Sequence, residues 1–175
     1  MKAKSKIVIE LAQHPRRWLL LLALVCAGMF GYGAYLQHVV GLQPCPMCVV
    51  QRYALLGVGL LALFTAAFAQ RVVHLIGLAA IVLIAGFGAF TAARQSWLQW
   101  YPPEFVTCGR DFYGMIASFP LERLIPMLFS GSGDCAKVDW WFLGLTIANW
   151  SFLVFTGMAL LALAVWGALL RWRVR

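Results

Sequence analysis

The chain has 175 residues, of which 63% are hydrophobic and only 11% are charged. Because a soluble globular domain carries about 25% charged residues, this composition indicates a membrane protein. A formal net charge of +8 would suit nucleic acid, but the basic residues stand in short groups beside apolar runs. That distribution is typical of membrane topology, so we expect no nucleic-acid partner.

Four apolar stretches are long enough to cross a bilayer as helices. The sequence predicts an all-α membrane protein, a single domain with a bundle of four transmembrane helices. The first apolar run is interpreted as an uncleaved span because no A-x-A-like cleavage site follows it. The spans are expected near residues 18–37, 49–69, 72–93 and 149–170, with loops at 38–48 and 94–148.

The basic residues predict the orientation of these spans. They lie before the first span, between the second and third, and after the fourth, whereas five of the six acidic residues fall in the 94–148 loop. By the positive-inside rule both termini are cytoplasmic and both loops lie on the opposite side. The basic residues concerned are Lys2, Lys4, Lys6, Arg16, Arg17, Arg71, Arg171, Arg173 and Arg175.

A CxxC motif, Cys45-Pro46-Met47-Cys48, opens the second span. Such a pair performs thiol–disulfide exchange when it is accessible and one cysteine is readily ionised. If Cys45 opens a helix, then Cys45, Cys48 and Arg52 share one face at positions i, i+3 and i+7. The partial positive charge of a helix N-terminus favours thiolate, and an arginine near hydrocarbon usually has a functional partner.

The remaining cysteines are Cys26, within the first span, and Cys108 and Cys135, in the long loop. Cys26 is interpreted as a small buried hydrophobe. Four outer cysteines allow three connectivities, of which proximity favours Cys45–Cys48 and leaves Cys108–Cys135. A bridge across two residues constrains little of the unfolded chain, so Cys45–Cys48 indicates exchange rather than structural support.

A zinc site is the competing interpretation of four cysteines. Structural zinc sites commonly repeat a C-x₂-C pair, but Cys108 and Cys135 are separated by 26 residues and no histidine lies near either in sequence. We therefore expect no metal.

Apolar residues of the long loop recur at helical spacing. The stripe predicts a short helix that either lies along the membrane surface or packs under the loop, and periodicity alone does not decide between the two. A Ser130-Gly131-Ser132-Gly133 segment then gives a flexible approach to Cys135. The stripe consists of Leu121, Leu124, Ile125, Leu128 and Phe129.

These residues together resemble the DsbB family, bacterial inner-membrane proteins that reoxidise the periplasmic thiol oxidase DsbA. The likeness covers nearly the whole chain. The motifs that carry it are Pro44-Cys45-Pro46-Met47-Cys48 with Arg52, Tyr101-Pro102 ahead of Phe105 and Cys108, Ser132-Gly133-Asp134-Cys135-Ala136, and Trp141-Phe142-Leu143-Gly144-Leu145 with Trp150.

The resemblance implies a disulfide relay that ends at a membrane quinone. It implies that reduced DsbA attacks Cys108 of a Cys108–Cys135 pair, and that Cys135 then attacks Cys45 and frees Cys48 beside the quinone. Arg52 matches the family's quinone-linked arginine. Gln95 stands where some members have a histidine near the quinone, which leaves the choice of ubiquinone or menaquinone open. The implied partners are a DsbA-like oxidase, the quinone pool and the lipid bilayer.

Two other functions are alternatives to this interpretation. A small helical transporter component with structural disulfides would more often show internal repeats or polar residues deep in several spans. An enzyme resembling vitamin K reductase would carry its CxxC late in the chain, whereas here it opens the second span.

Overall fold

A computed structural model describes residues 9–102 and 135–172 of the chain. A short helical segment, 9–13, precedes four long helices, and a small β-hairpin lies before the last of them. The elements are α1 (Pro15–His38), α2 (Pro46–Ala67), α3 (Arg71–Trp100), β1 (Trp141–Phe142), β2 (Leu145–Thr146) and α4 (Ile147–Trp172). Cys108 and the predicted 121–129 helix lie outside the described residues.

The four long helices are each long and apolar enough to cross a membrane. Proline opens α1 and α2, where its fixed φ suits a helix and its missing N–H would have had no helical partner. Many large apolar side chains of the helices stay exposed, as expected where lipid is the solvent. The predicted four-helix membrane fold is confirmed. Helix α3 continues to Trp100, beyond residue 93 where the predicted third span ends.

The helices pack in chain order: α1 on α2, α2 on α3, and α3 on α4. Small residues allow close approach, as at Gly88, where an added Cβ would lie 2.5 Å from the Phe155 ring. Close packing through small residues stabilises helix pairs in membranes, where burial from water supplies little driving force. Helices α1 and α4 contact each other much less, so a cleft lies between them.

The β-hairpin is a departure from the all-α prediction. Its two strands pair antiparallel, Trp141 opposite Thr146 and Phe142 opposite Leu145. The two turn residues, Leu143 and Gly144, both have positive φ, 51° and 77°, as a type I′ turn requires. The Thr146 hydroxyl accepts the Asn149 N–H at 3.3 Å and so caps α4, which ties the hairpin to that helix.

A cysteine cluster at the start of helix α2

Cys45 is the N-cap of α2. Its backbone is extended, at φ −82° and ψ 164°, and its sulfur accepts the Cys48 N–H at 3.3 Å. Pro46 follows at the first helical position, where the lack of an N–H does no harm. The CxxC motif therefore forms the positive end of the helix dipole. The second span was predicted from residue 49, whereas the helix begins at Pro46, directly after the Cys45 N-cap.

Three sulfurs meet at this helix end. Cys45 Sγ lies 2.9 Å from Cys48 Sγ, and Cys45 also shares a hydrogen bond with Cys135, which is fully buried. Cys45 is only 4% exposed, and Met47 packs in the same cluster. In this structure the sulfurs of Cys45 and Cys48 are in contact without a covalent bond between them. Cys45 is thus within exchange distance of a sulfur from its own motif and adjacent to one from the far loop.

The pKa of the Cys45 thiol is raised. The hydrogen bond with Cys135 is the largest cause, followed by the hydrogen bond with Cys48 and by burial. A thiolate at Cys45 would lack water and stand against two other sulfurs, so the neutral form is favoured. Burial and the two neighbouring sulfurs therefore disfavour negative charge at Cys45.

Gln95, on α3, holds the two sulfurs of the motif. Its amide nitrogen lies 3.3 Å from Cys45 Sγ and 3.3 Å from Cys48 Sγ. Its amide oxygen accepts a 2.8 Å hydrogen bond from the Gln51 side chain and also lies 3.7 Å from Cys48 Sγ. Both glutamines are buried. The Gln95 amide is therefore an oriented donor, and such a donor stabilises negative charge on sulfur.

A cavity of about 470 Å³ opens in the cleft between α1 and α4, on the other side of Cys48. Among the described residues its wall is mostly apolar, and the polar exceptions include Cys48, Arg52 and Gln37. Trp140, Phe142 and Trp150 close it at the hairpin end. The cavity has the size and the mostly apolar lining of a small-molecule site.

Arg52 lies one helical turn beyond Cys48 and faces α1. Its guanidinium donates to the Gln37 side chain and, at 3.2 Å, to the Gly33 carbonyl oxygen. These two acceptors are neutral groups, and they hold the guanidinium at the wall of the cavity. A held, half-buried cation beside an apolar cavity is suited to a ligand with electron-rich oxygens.

A second, smaller cavity of about 50 Å³ lies on the far side of the motif. Cys45, Cys48, Gln95 and Gln99 all border it, and Gln95 lies here rather than on the wall of the large cavity. Among the three clustered cysteines, Cys48 is the one that borders both cavities. Cys48 therefore connects the cysteine cluster to the large cavity.

Comparison with known proteins decides the family. The family model described as disulfide bond formation protein DsbB matches residues 15–165. The chain is 60% identical over 159 residues to disulfide bond formation protein B of a Polaromonas species, covering 91% of this chain and 95% of that protein. It is 58% identical over 165 residues to that of Polaromonas naphthalenivorans (94% and 99%), and 59% identical over 155 residues to that of Albidiferax ferrireducens (89% of each).

The chain belongs to the DsbB family. It is therefore a multi-pass membrane protein with a disulfide oxidoreductase role in disulfide bond formation. Membership accounts for a cluster of cysteines at the end of a membrane helix, because exchange requires sulfurs in contact and thiolate within reach.

The site residues predicted from the sequence of this DsbB-family chain lie in the cysteine cluster, on the large cavity, or outside the described residues. The structure brings Cys45, Cys48, Cys135 and Gln95 together, and it puts Arg52 on the large cavity beside Cys48. Cys108 lies outside the described residues. The sequence reasoning gave no role to Gln51 as the partner that orients Gln95. A polar residue within an apolar span was the signal available for it.

The hairpin aromatics are a second set that the sequence reasoning did not assign to the site. Trp140, Phe142 and Trp150 contribute to the cavity wall, although they are distant in sequence from the CxxC motif. Their clustering between two predicted elements was the available signal.

Proposed function

We propose that this protein reoxidises a DsbA-like periplasmic dithiol by passing two electrons through two cysteine pairs to a membrane quinone. The observation that carries the proposal is the position of the Cys45 sulfur, between Cys135 on one side and Cys48 on the other. Cys135 thus stands where it could attack a Cys45–Cys48 disulfide. Such an attack would expel the Cys48 sulfur, which borders the large cavity.

The exchange steps balance without any further oxidant. A DsbA thiolate attacks Cys108 of the Cys108–Cys135 disulfide, forms a mixed disulfide and releases Cys135 as thiolate. Cys135 attacks Cys45 of the Cys45–Cys48 disulfide, forms Cys45–Cys135 and releases Cys48. The second DsbA thiol then releases oxidised DsbA and frees Cys108, which attacks Cys135 and restores Cys108–Cys135. Cys45 and Cys48 are left as two thiols.

The direction of the second step follows from the sulfurs themselves. Exchange is faster when the leaving sulfur is the more readily ionised. Burial and the neighbouring sulfurs disfavour charge at Cys45, whereas the side-chain N–H groups of Gln95 reach both sulfurs of the motif equally. Attack at Cys45, with Cys48 leaving, avoids putting the charge at Cys45. The relay therefore runs toward the cavity.

The residues of the large cavity fit a quinone. A bound quinone supplies an acceptor for two electrons and two protons, which restores the Cys45–Cys48 disulfide. The mostly apolar wall suits a planar ring and an isoprenoid tail, and the cavity opens in the cleft between α1 and α4. Arg52 presents a fixed cation for a quinone oxygen, held by Gln37 and Gly33. Ubiquinone and menaquinone share this chemistry.

We further propose the bacterial inner membrane as the location, with both termini cytoplasmic and the cysteines periplasmic. The described cations support this orientation. Arg16 donates to the carbonyl of Phe68 at the end of α2, and Arg71 donates to the carbonyl of Leu169 near the end of α4. Arg16 and Arg71 thus lie at the end of the bundle opposite the cysteine cluster, where the positive-inside rule expects cytoplasmic basic residues, whereas Arg52 and Arg94 lie toward the cysteine end.

The assay combines the purified protein, reduced DsbA and a soluble short-chain quinone, and it follows the loss of quinone absorbance. We expect one quinone reduced for each DsbA oxidised. Absence of quinone reduction in protein that retains its four outer cysteines would refute the proposal.

Cys48→Ser should abolish quinone reduction, because no sulfur would remain beside the cavity to complete the transfer. Cys26→Ala is the matched control, since Cys26 is buried against Met158 within the bundle and takes no part in the relay. A Cys48→Ser protein that still reduced quinone would remove Cys48 from the mechanism.

A further inference from the structure

The tip of the hairpin exposes three consecutive apolar side chains. Trp141 is 62% exposed, Phe142 52% and Leu143 78%. Leu143 also adopts a φ of 51°, a conformation that glycine or asparagine would adopt at lower energy. A contact outside the chain would explain why a large apolar residue occupies this unfavourable conformation at an exposed tip.

The length of α4 supports a position for the hairpin at the level of the lipid headgroups. Helix α4 begins directly after β2 and has 26 residues, which at 1.5 Å per residue is about 39 Å. The hydrocarbon core is only about 30 Å thick, so the ends of this helix reach the headgroup layers. The same end of the bundle exposes aromatic residues on α3, as membrane interfaces favour. These are Trp97 and Trp100, with Tyr101 directly after them.

The chain changes character just before the tip. Lys137 and Asp139 are exposed and form a 3.1 Å ion pair, which suits water. The three residues of the tip carry no charge and no ion-pairing group. The segment is therefore amphipathic along its length, polar first and then apolar, as expected of a chain that enters an interface.

The hairpin is also coupled to the large cavity. The Trp150 indole N–H donates to the Phe142 carbonyl oxygen at 3.1 Å, which fixes β1 to α4. The Phe142 ring centre lies 5.9 Å from that of Trp140, and Trp140 meets Tyr32 of α1 edge-on at 6.3 Å. The hairpin therefore bridges α1 and α4 across the cleft, and its aromatic residues are part of the cavity wall.

We propose that residues 141–143 form a lipid anchor that inserts into the headgroup layer on the cysteine side of the membrane. The partner is the phospholipid bilayer itself, because the tip is apolar, uncharged and at the depth of the aromatic residues of α3. Insertion holds the hairpin wall of the cavity at the bilayer surface, next to the cleft. The anchor itself does not depend on the proposed function; its effect on quinone access does.

Photocrosslinking tests the anchor without any turnover. The photoreactive amino acid p-benzoylphenylalanine replaces Leu143 in the full chain, which is reconstituted into phospholipid nanodiscs and irradiated. We expect phospholipid adducts by mass spectrometry, at a yield near that of the same probe at Leu153, an exposed residue within α4. Lys137 is the polar control and should give few adducts. A yield at residue 143 no greater than at 137 would overturn the proposal.

Leu143→Asn tests the coupling to the cavity. Asparagine adopts positive φ readily, so the turn should persist while the apolar contact is lost. In vesicles the KM for a long-chain quinone should rise about threefold or more at unchanged kcat. The KM for a soluble short-chain quinone in detergent should not change. Equal shifts in both assays would overturn the coupling. Wild-type protein that reduces no quinone would refute the proposed function, while the crosslinks would still decide the anchor.

Discussion

Cys45 meets two requirements with one sulfur atom. As the N-cap of α2 it accepts the Cys48 N–H, a role that serine or aspartate usually fills. As a buried thiol in contact with two other sulfurs it has a raised pKa, which makes it a poor leaving group. One side chain therefore both starts the helix and, under the proposed relay, is the sulfur that Cys135 attacks.

Gln95→Leu should slow quinone reduction about tenfold, because hydrogen bonds to a charged group contribute about 1.5–3 kcal/mol. The loss should appear in kcat, whereas formation of the mixed disulfide between DsbA and Cys108 should keep its rate. Gln51→Leu should have a smaller effect of the same kind, since Gln51 acts only by orienting Gln95. Stopped-flow absorbance and acid-trapped gels measure the two rates. Equal slowing of both steps by Gln95→Leu would contradict the assigned role.

Under the proposed function, Arg52→Ala should raise the KM for quinone about tenfold or more, because the cation held on the cavity wall is lost. The KM of Arg52→Lys should lie between those of the wild type and Arg52→Ala, because lysine keeps the charge but cannot donate to both Gln37 and Gly33 in the same geometry. Arg94→Ala is the matched control, an exposed arginine near the same end of the bundle. Steady-state kinetics would remove Arg52 from the site if Arg52→Ala and Arg94→Ala behaved alike.

At the scale of the elements, the packing of α3 against α4 positions α4, which lines one side of the large cavity. It depends on the absence of a side chain at Gly88, because Phe155 occupies that space. Such contacts stabilise membrane helices through close packing rather than through removal of apolar surface from water.

Gly88→Ala should therefore lower the free energy of unfolding by about 1–3 kcal/mol, as expected for overpacking. Gly86→Ala is the matched control on the same helix, since an added Cβ there meets nothing within 4 Å. It should be neutral or stabilising by about 0.5–1 kcal/mol, because alanine favours helix. Reversible unfolding in mixed micelles measures both. Equal destabilisation by the two changes would contradict the α3–α4 packing described.

Sequence patterns predicted the helices well because each span is a continuous apolar run. The end of α3 was not predicted, since Arg94, Gln95 and Gln99 end the apolar run while the helix itself continues to Trp100. Hydropathy indicates which segment partitions into lipid, but it does not indicate where the helix ends. The hairpin was not predicted either, because strands of two residues are too short to alternate and leucine at positive φ is not a turn signal.

At the scale of the whole molecule, the site combines residues that are local and residues that are remote. The CxxC motif and Arg52 lie within one helix, so spacing alone predicted their common region. The contacts of Gln95 with the two sulfurs join residues 50 and 47 positions apart, and no local pattern predicts them. The approach of Cys135 to Cys45 likewise depends on how the α3–α4 connection returns to the bundle, which the resemblance implied and periodicity did not.

The bundle also separates the site of thiol–disulfide exchange from the large cavity. Cys135 and Cys45 are buried on one side of the motif, and the mostly apolar cavity with its arginine lies on the other. Cys48 borders both sides. Under the proposed relay, this arrangement keeps protein thiols away from the quinone, so that electrons pass only through the CxxC pair.

Under the proposed relay, Cys45 receives the attack of Cys135 and expels Cys48, and a trapping experiment tests this order directly. Quinone-free protein with both outer pairs oxidised is mixed with a reduced DsbA that keeps only its attacking cysteine. Acid quenching, alkylation and mass spectrometry of the peptides then report every cysteine. We expect DsbA linked to Cys108, Cys45 linked to Cys135, and Cys48 alkylated. A Cys48–Cys135 link, or an intact Cys45–Cys48 bridge once DsbA is bound to Cys108, would contradict this order.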